Sequence, residues 1–396
     1  MAKSEIPTIY TRAFIFLCIS NFLFSASFQM LLPELPNFLT RLGGAPYKGF
    51  TIAAFTLTAG LSRPFSGKLT DTIGRVPIMV FGSLVCVVCG IFYPLVTTVS
   101  GFFILRTFHG FSTGFKPTAT AAYVADVTHI TRRGEAMSAL GMSSSLGFSF
   151  APVIGSYISN IWGLNGLFIL SAFSALMSVV ILSSQIHETL KNKQKFSPRL
   201  LQVNRKDIFE PLVIQPFVIQ FLMAFVLGTL LTIVPDRSEL INISNKGLFF
   251  TIYTLSALGI RFFAGKTSDI YGRIPVIKFV VLCSSVSMFF MAQAQTPFWF
   301  LFGGVLYGFS YGLCTPTLQA WTVDLIPEQN RGRGLATMFI ALEAGIGVGA
   351  IVSQALYNNV AAQISYPFYL GGVLAFVAFM YLWFVRERKI LTSQIV

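Results

Sequence analysis

Four residues combine ionisable chemistry with an apolar setting: Arg106, His109 and Lys116 in one hydrophobic stretch, and Glu343 in another. A charge at the centre of a bilayer costs about 2.5–3.5 kcal/mol on insertion scales, so Arg106 and Lys116 are expected to face a wet cavity or a partner. Glu343 is the single acid that the sequence places at mid-membrane, with Gly347, Ala350 and Gln354 on its side of the helix. Burial disfavours an ionised acid and a nearby cation favours it, so such a group either carries a proton or forms a permanent salt bridge. Both readings of Glu343 stay open, the second with Arg106 or Lys116 as partner. His109 is either a second proton carrier or a neutral hydrogen-bonding residue.

Helical geometry groups these side chains. With Arg106 at zero and about 100° per residue, His109, Thr113, Lys116 and Thr120 fall within about 80° of it, while Phe108, Phe111 and Phe115 lie opposite. Asn21, Ser25 and Gln29 share a face of an earlier stretch. Tyr307, Tyr311, Cys314 and Trp321 share a face of a later one.

The elements that must carry these faces follow from composition. The 396 residues are 54% hydrophobic and only 11% charged, which excludes a soluble globular enzyme, a disordered chain and a disulfide scaffold. The five cysteines lie in apolar runs, and Cys86-Val-Val-Cys89 reads as small residues packing inside a helix. Segments of roughly 20 apolar residues, enough to cross the hydrocarbon core, recur near 11–35, 47–68, 77–98, 100–125, 136–158, 163–185, 211–235, 247–267, 275–294, 297–325, 335–358 and 365–386. The first resembles a signal peptide, but its apolar run continues through Leu32 and it reads as a retained membrane helix.

The net charge of +13 is then a topological marker. With the N-terminus inside, nineteen basic residues fall on the cytoplasmic side against Arg41, Lys48, Arg237 and Lys246 outside, so both termini are expected in the cytoplasm. A basic loop, 186–210, separates residues 1–185 from 211–396. The halves echo each other: eight of fifteen positions agree between Arg63–Pro77 and Arg261–Pro275, 198 residues apart. The same offset pairs Gly110-Phe-Ser112 with Gly308-Phe-Ser310 and Asp126 with Asp324. The expected fold is an all-α polytopic membrane protein of twelve transmembrane helices, in two parallel-repeat six-helix bundles.

These motifs resemble the major facilitator superfamily, and within it the twelve-helix drug/proton antiporter group. Gly67-Lys-Leu-Thr-Asp71-Thr-Ile-Gly74-Arg75 is similar to the cytoplasmic signature between the second and third helices, and Gly265 to Arg273 is its echo. Arg106 to Gly114 resembles the fourth-helix signature, Gly147 with Pro152 and Gly155 the fifth-helix antiporter motif, and Pro33-Glu-Leu-Pro36 the PxxP that closes the first helix. Gly67 suits close helix approach, Gly74 a tight turn, and Asp71 the positive end of a neighbouring helix. The resemblance implies that this neighbour is the eleventh helix, and that Arg75 links Asp71 to Asp126 in a cytoplasmic gate. Gly265, Asp269, Gly272, Arg273 and Asp324 repeat the gate in the second half. It also implies a substrate cavity lined by the first, fourth, seventh and tenth helices, where Asn21, Ser25, Gln29, Arg106, Thr113, Lys116, Tyr307, Tyr311 and Trp321 are the candidates.

The function expected is proton-coupled export of small amphipathic compounds across the inner membrane, by a monomer, with Glu343, His109 and Arg106 in proton coupling. The partners expected are the substrate, protons and the lipid bilayer, with no nucleic acid, metal or cofactor. No GxxxxGK[ST] is present for direct use of ATP. A carrier of an organic anion or lipid-like metabolite is the rival, motivated by two deep cations against one acid. A membrane enzyme and a channel are disfavoured, the first because neither HExxH nor GxSxG occurs, the second by the twofold repeat.

Overall fold

The computed structural model describes residues 9–129, 133–190, 193–201, 209–264, 267–326 and 331–385. Their regular structure is helical: α1 (Arg12–Gln29), α2 (Leu35–Arg41), α3 (Lys48–Thr72), α4 (Arg75–Phe92), α5 (Val99–Val127), α6 (Arg133–Gln185), α7 (Ile214–Leu240), α8 (Leu248–Ala264), α9 (Thr267–Tyr271), α10 (Arg273–Gln293), α11 (Pro297–Asp324), α12 (Arg331–Tyr357) and α13 (Tyr366–Phe384). Each of the apolar segments expected to span falls on one of these helices. Eight helices among the described residues are long and apolar enough to cross a membrane. Helices α3 and α5 have the length, but polar side chains interrupt them.

Several boundaries differ from expectation: α1 ends at Gln29, short of 35, and α4 at Phe92, short of 98. The fifth and sixth apolar segments merge into α6, which bends at Gly163, where φ is 70° and ψ is −178°. Only glycine adopts that conformation readily, so one residue replaces the expected loop. The seventh segment was expected to end at 235, but α7 continues to Leu240 and takes Asp236 into the helix.

The chain forms two compact units, one of Met1–Gly43 with Leu57–Val203 and the other of Gly44–Thr56 with Asn204–Val396. The division departs from the expected 1–185 and 211–396 because it cuts α3. Small residues explain this: a Cβ on Gly49 would collide with the backbone of Ala350, so the first turns of α3 lie directly on α12.

In the first unit α6 packs along α1 and α4, and α4 along α5. Thr11 and Thr98 cap α1 and α5 by accepting the N–H groups of Phe14 (3.2 Å) and Gly101 (3.1 Å). Buried apolar clusters centre on Leu17, Met79 and Leu182, and on Leu31, Tyr93 and Phe168. In the second unit α7 packs on α12, and α11 on α8 and α10. Both units leave large apolar side chains exposed, such as Ile104, Phe173 and Phe384, a surface suited to hydrocarbon.

Candidate functional site

The polar face of α5 lies inside the first unit, with Arg106, His109, Lys116 and Thr120 buried and Phe108 exposed on the opposite side. Gly82 explains how Lys116 fits: a Cβ there would come within 2.8 Å of the lysine Cβ, so α4 and α5 touch closely. The Lys116 ammonium donates to the Ser20 carbonyl at 3.0 Å, the Ser20 hydroxyl at 3.2 Å and the Ser178 hydroxyl at 2.6 Å. The Phe24 ring centroid is 4.5 Å away. The lysine thus binds α1 to α6 through protein partners, one of the two settings expected of it.

One turn and more away, the His109 Nδ1 lies 3.3 Å from the Tyr93 hydroxyl and 3.5 Å from the Arg106 guanidinium. Tyr93 stacks on Phe168 at 5.1 Å. Asn21 donates to Ser143 (3.0 Å) and Ser144 (2.6 Å) on α6. Ser25 is buried where α6 passes, since a Cβ on Gly147 would fall 2.8 Å from the Ser25 Cβ. Gly155 sits against the Met30 carbonyl in the same seam, and Pro152 lies inside α6 between the two glycines. Gln29 and Thr113 are half-buried.

The second unit gathers aromatics and an acid. Tyr307 and Tyr311 stack at 6.0 Å, and Tyr253 of α8 meets both edge-on at 5.7 and 6.1 Å. Glu343 of α12 is half-buried and within electrostatic reach of Tyr311. Trp321 is buried further along α11. The same unit contains a group that sequence reasoning missed: the Lys48 ammonium contacts the Asp236 carboxylate at 2.6 Å, with both side chains buried. The buried Tyr357 phenol stands within electrostatic reach of the same carboxylate. Lys48 was counted as an ordinary outer-loop charge, and Asp236 fell just past the expected end of its span. An acid one residue beyond an apolar segment was the available signal.

The signature loop forms a charged network in the first unit. Arg75 Nη1 pairs with Asp71 at 2.8 Å and Nε with Asp126 at 3.0 Å. Gly74 starts α4 at φ 136°. Asp71 is 69% exposed on its side chain. A Cβ on Gly67 would meet nothing within 4 Å among the described residues. In the second unit Arg273 pairs with Asp324 at 2.9 Å and donates to Ser268 at 2.8 Å, after Gly272 at φ 88°. Gly265 and the Asp269 side chain lie outside what is described.

Glu188 completes the first network and was not anticipated. Its Oε1 accepts the N–H groups of Arg75, Thr189 and Leu190, each at 3.0 Å, and its Oε2 that of Val76 at 3.1 Å. The turn at Gly74 leaves the first N–H groups of α4 without helical acceptors, and the carboxylate supplies them. Thr189 donates to Asp126 at 2.7 Å, which ties the start of the linker to the Arg75 pair.

The family described as Major Facilitator Superfamily matches residues 17–244 and 216–394. The chain is 27% identical over 394 residues to the "Multi-drug resistance efflux pump PmrA homolog" of Lactococcus lactis, covering 95% of each. It is 25% identical over 390 residues to "Multidrug resistance protein 2" of Bacillus subtilis, covering 95% of this chain and 96% of that one. Among solved structures, a D-xylose-proton symporter superposes with a TM-score of 0.79 at 17% identity, over 95% of this chain and 98% of that one. The human organic anion transporter MFSD10 gives 0.72 at 17% identity, over 95% of this chain and all of the other. These two likenesses concern the fold.

Proposed function

Because the chain belongs to the major facilitator superfamily and is an integral membrane transporter, not an enzyme, we propose that it exports small amphipathic organic compounds in exchange for protons, by alternating access. The observation that carries the reading is its likeness to relatives named multidrug efflux pumps, which extends over 95% of both chains in the first case. In this reading twelve spans form two parallel repeats in the inner membrane with both termini in the cytoplasm. Helix starts support the repeat: Arg75 and Arg273 open α4 and α10, 198 residues apart.

Glu343 takes and releases the coupling proton beside Tyr311. His109 and Arg106 adjust the charge of the first unit, and the stacked tyrosines offer flat apolar faces to a substrate. Asn21, Ser25, Gln29 and Thr113 of the first unit and Trp321 of the second are the further substrate contacts of this reading, and Lys116 is a fixed polar tie between α1 and α6. The pairs of Arg75 with Asp126 and of Arg273 with Asp324 hold the cytoplasmic ends during the closed phase.

A second reading, transport of an organic anion or lipid-like metabolite, is favoured by the burial of Arg106 and Lys116 in one unit. Transport in proteoliposomes under an imposed pH gradient separates the two when cationic dyes and carboxylate amphiphiles are compared. Drug-class export predicts movement of the dyes; carboxylates moving alone would leave the second reading. Proton-driven transport that survives in Glu343→Gln would remove Glu343 from the coupling role.

A further inference from the structure

Lys278 places a cation in α10, a helix long and apolar enough to cross the membrane. It lies five residues after the helix opens at Arg273, so about 7.5 Å into the span at 1.5 Å per residue. Neither α10 nor α13 contains an acid. Among the described residues, the ion pairs of the second unit engage Lys48, Lys246 and Arg273, and Lys278 is in none of them. Its ammonium instead stands 4.4 Å from the ring centroid of Trp383, the penultimate residue of α13. The two helices pack on each other, so the pair sits on their seam where α10 begins and α13 ends. Packing does not require this pair. Shifted by 198 residues, Lys278 becomes Val80 and Trp383 becomes Gln185, on α4 and α6, which also pack on each other.

Trp383 is 64% exposed and Lys278 half-buried. A ring face attracts an ammonium from one side only, so the remaining N–H donors stay available to an anion. Indole at a helix end marks headgroup depth, and a lysine one and a half turns inside reaches the same level along its stem. The anions at that depth are lipid phosphates. Deeper along α13 the rings continue: Phe379 meets Trp383 edge-on at 6.2 Å, and Phe376 lies 5.9 Å from Phe379. Spacings of three and four put all three on one face of the helix. Phe376 is exposed and Phe379 half-buried, a surface fitted to an acyl chain descending from that headgroup. Beyond α13 the sequence continues with Arg386, Arg388 and Lys389 against Glu387, an excess of positive charge that disfavours a headgroup carrying its own ammonium.

We propose that Lys278 and Trp383, with Phe379 and Phe376 deeper in the membrane, form a binding site for one anionic phospholipid. Its phosphate takes the Lys278 ammonium, and an acyl chain lies along the rings. Binding supplies the counter-charge that α10 and α13 lack, and it fills the seam between them at the headgroup level.

Native mass spectrometry of the full-length protein in detergent, with phosphatidylglycerol and separately with phosphatidylcholine, tests this. The wild type should retain one phosphatidylglycerol under activation that strips phosphatidylcholine. Lys278→Met should bind it about fivefold more weakly, the share one lysine contributes beside an anionic surface. Lys278→Arg, which keeps the charge, should hold it, and Trp383→Leu should weaken it. A phosphatidylglycerol with a diazirine in its acyl chain should crosslink to the peptide that carries Phe376 and Phe379. Equal retention by Lys278→Met and wild type, equal retention of phosphatidylcholine, or crosslinks confined to other helices overturns the site. So does displacement of the lipid by millimolar glycerol phosphate, which would mark a site for a free phosphate compound. None of these readouts involves transport, so a chain that failed to exchange protons would lose the antiport reading and keep the lipid site.

Discussion

The Lys48–Asp236 pair shows how much a single charge can depend on one partner. Both side chains are largely withdrawn from water, so removing either leaves the other buried and uncompensated. Asp236→Asn or Lys48→Met is expected to destabilise the protein by about 3–5 kcal/mol, and the double replacement Lys48→Met with Asp236→Leu by clearly less than the sum. Thermal unfolding in detergent micelles checks the cycle. Additive losses would mean that the two charges act independently. Lys116 differs because its partners are neutral. Ser20 and Ser178 remain bonded to each other at 2.8 Å without it, so Lys116→Met should cost about 1–3 kcal/mol through lost packing and hydrogen bonds.

At the level of helices, the tightest constraints are glycines and caps. Gly155→Val places a branched side chain on the Met30 carbonyl and should separate α1 from α6, with loss of folded protein or of transport in membrane vesicles. Glu188→Gln keeps shape but weakens the acceptors for four N–H groups. The expected cost is about 1 kcal/mol, read as a lowered unfolding temperature, with Glu188→Ala costing more. The helices themselves were legible in the sequence, since hydropathy reports apolar length directly. The Arg75–Asp126 meeting was implied by the resemblance of the loop to the family's signature. Glu188, Ser178 and Asp236 were not legible as partners, because each meets residues far away in the chain through helix register, which no local period encodes. The polar face of α5 was readable, but the helices covering it were not: Gly82, Ser20 and Ser178 reveal their role only once α4, α1 and α6 are packed.

For the whole molecule, the sidedness of the loops is the property that joins sequence to function. Single cysteines placed at Lys193 and at Lys246 in a cysteine-free background should react with impermeant maleimide from opposite sides of the membrane, Lys246→Cys from outside. Labelling of both from one face would contradict the orientation argued from basic residues. The repeat is less complete in three dimensions than in sequence, because the first turns of α3 belong to the second unit. A rule written along the chain, 198 residues to the next copy, does not predict where a shared helix divides.

The single-residue bend at Gly163 also bears on how this protein is met by other molecules. With helix on both sides of it, the connection offers antibodies, phages or proteases almost no loop to grasp, only the exposed ring of Trp162 and its immediate neighbours. Epitope tags inserted there would have to unwind helix at their own expense. The stretch between α7 and α8, which bears Asn242 in a left-handed conformation, is the more permissive place to display one.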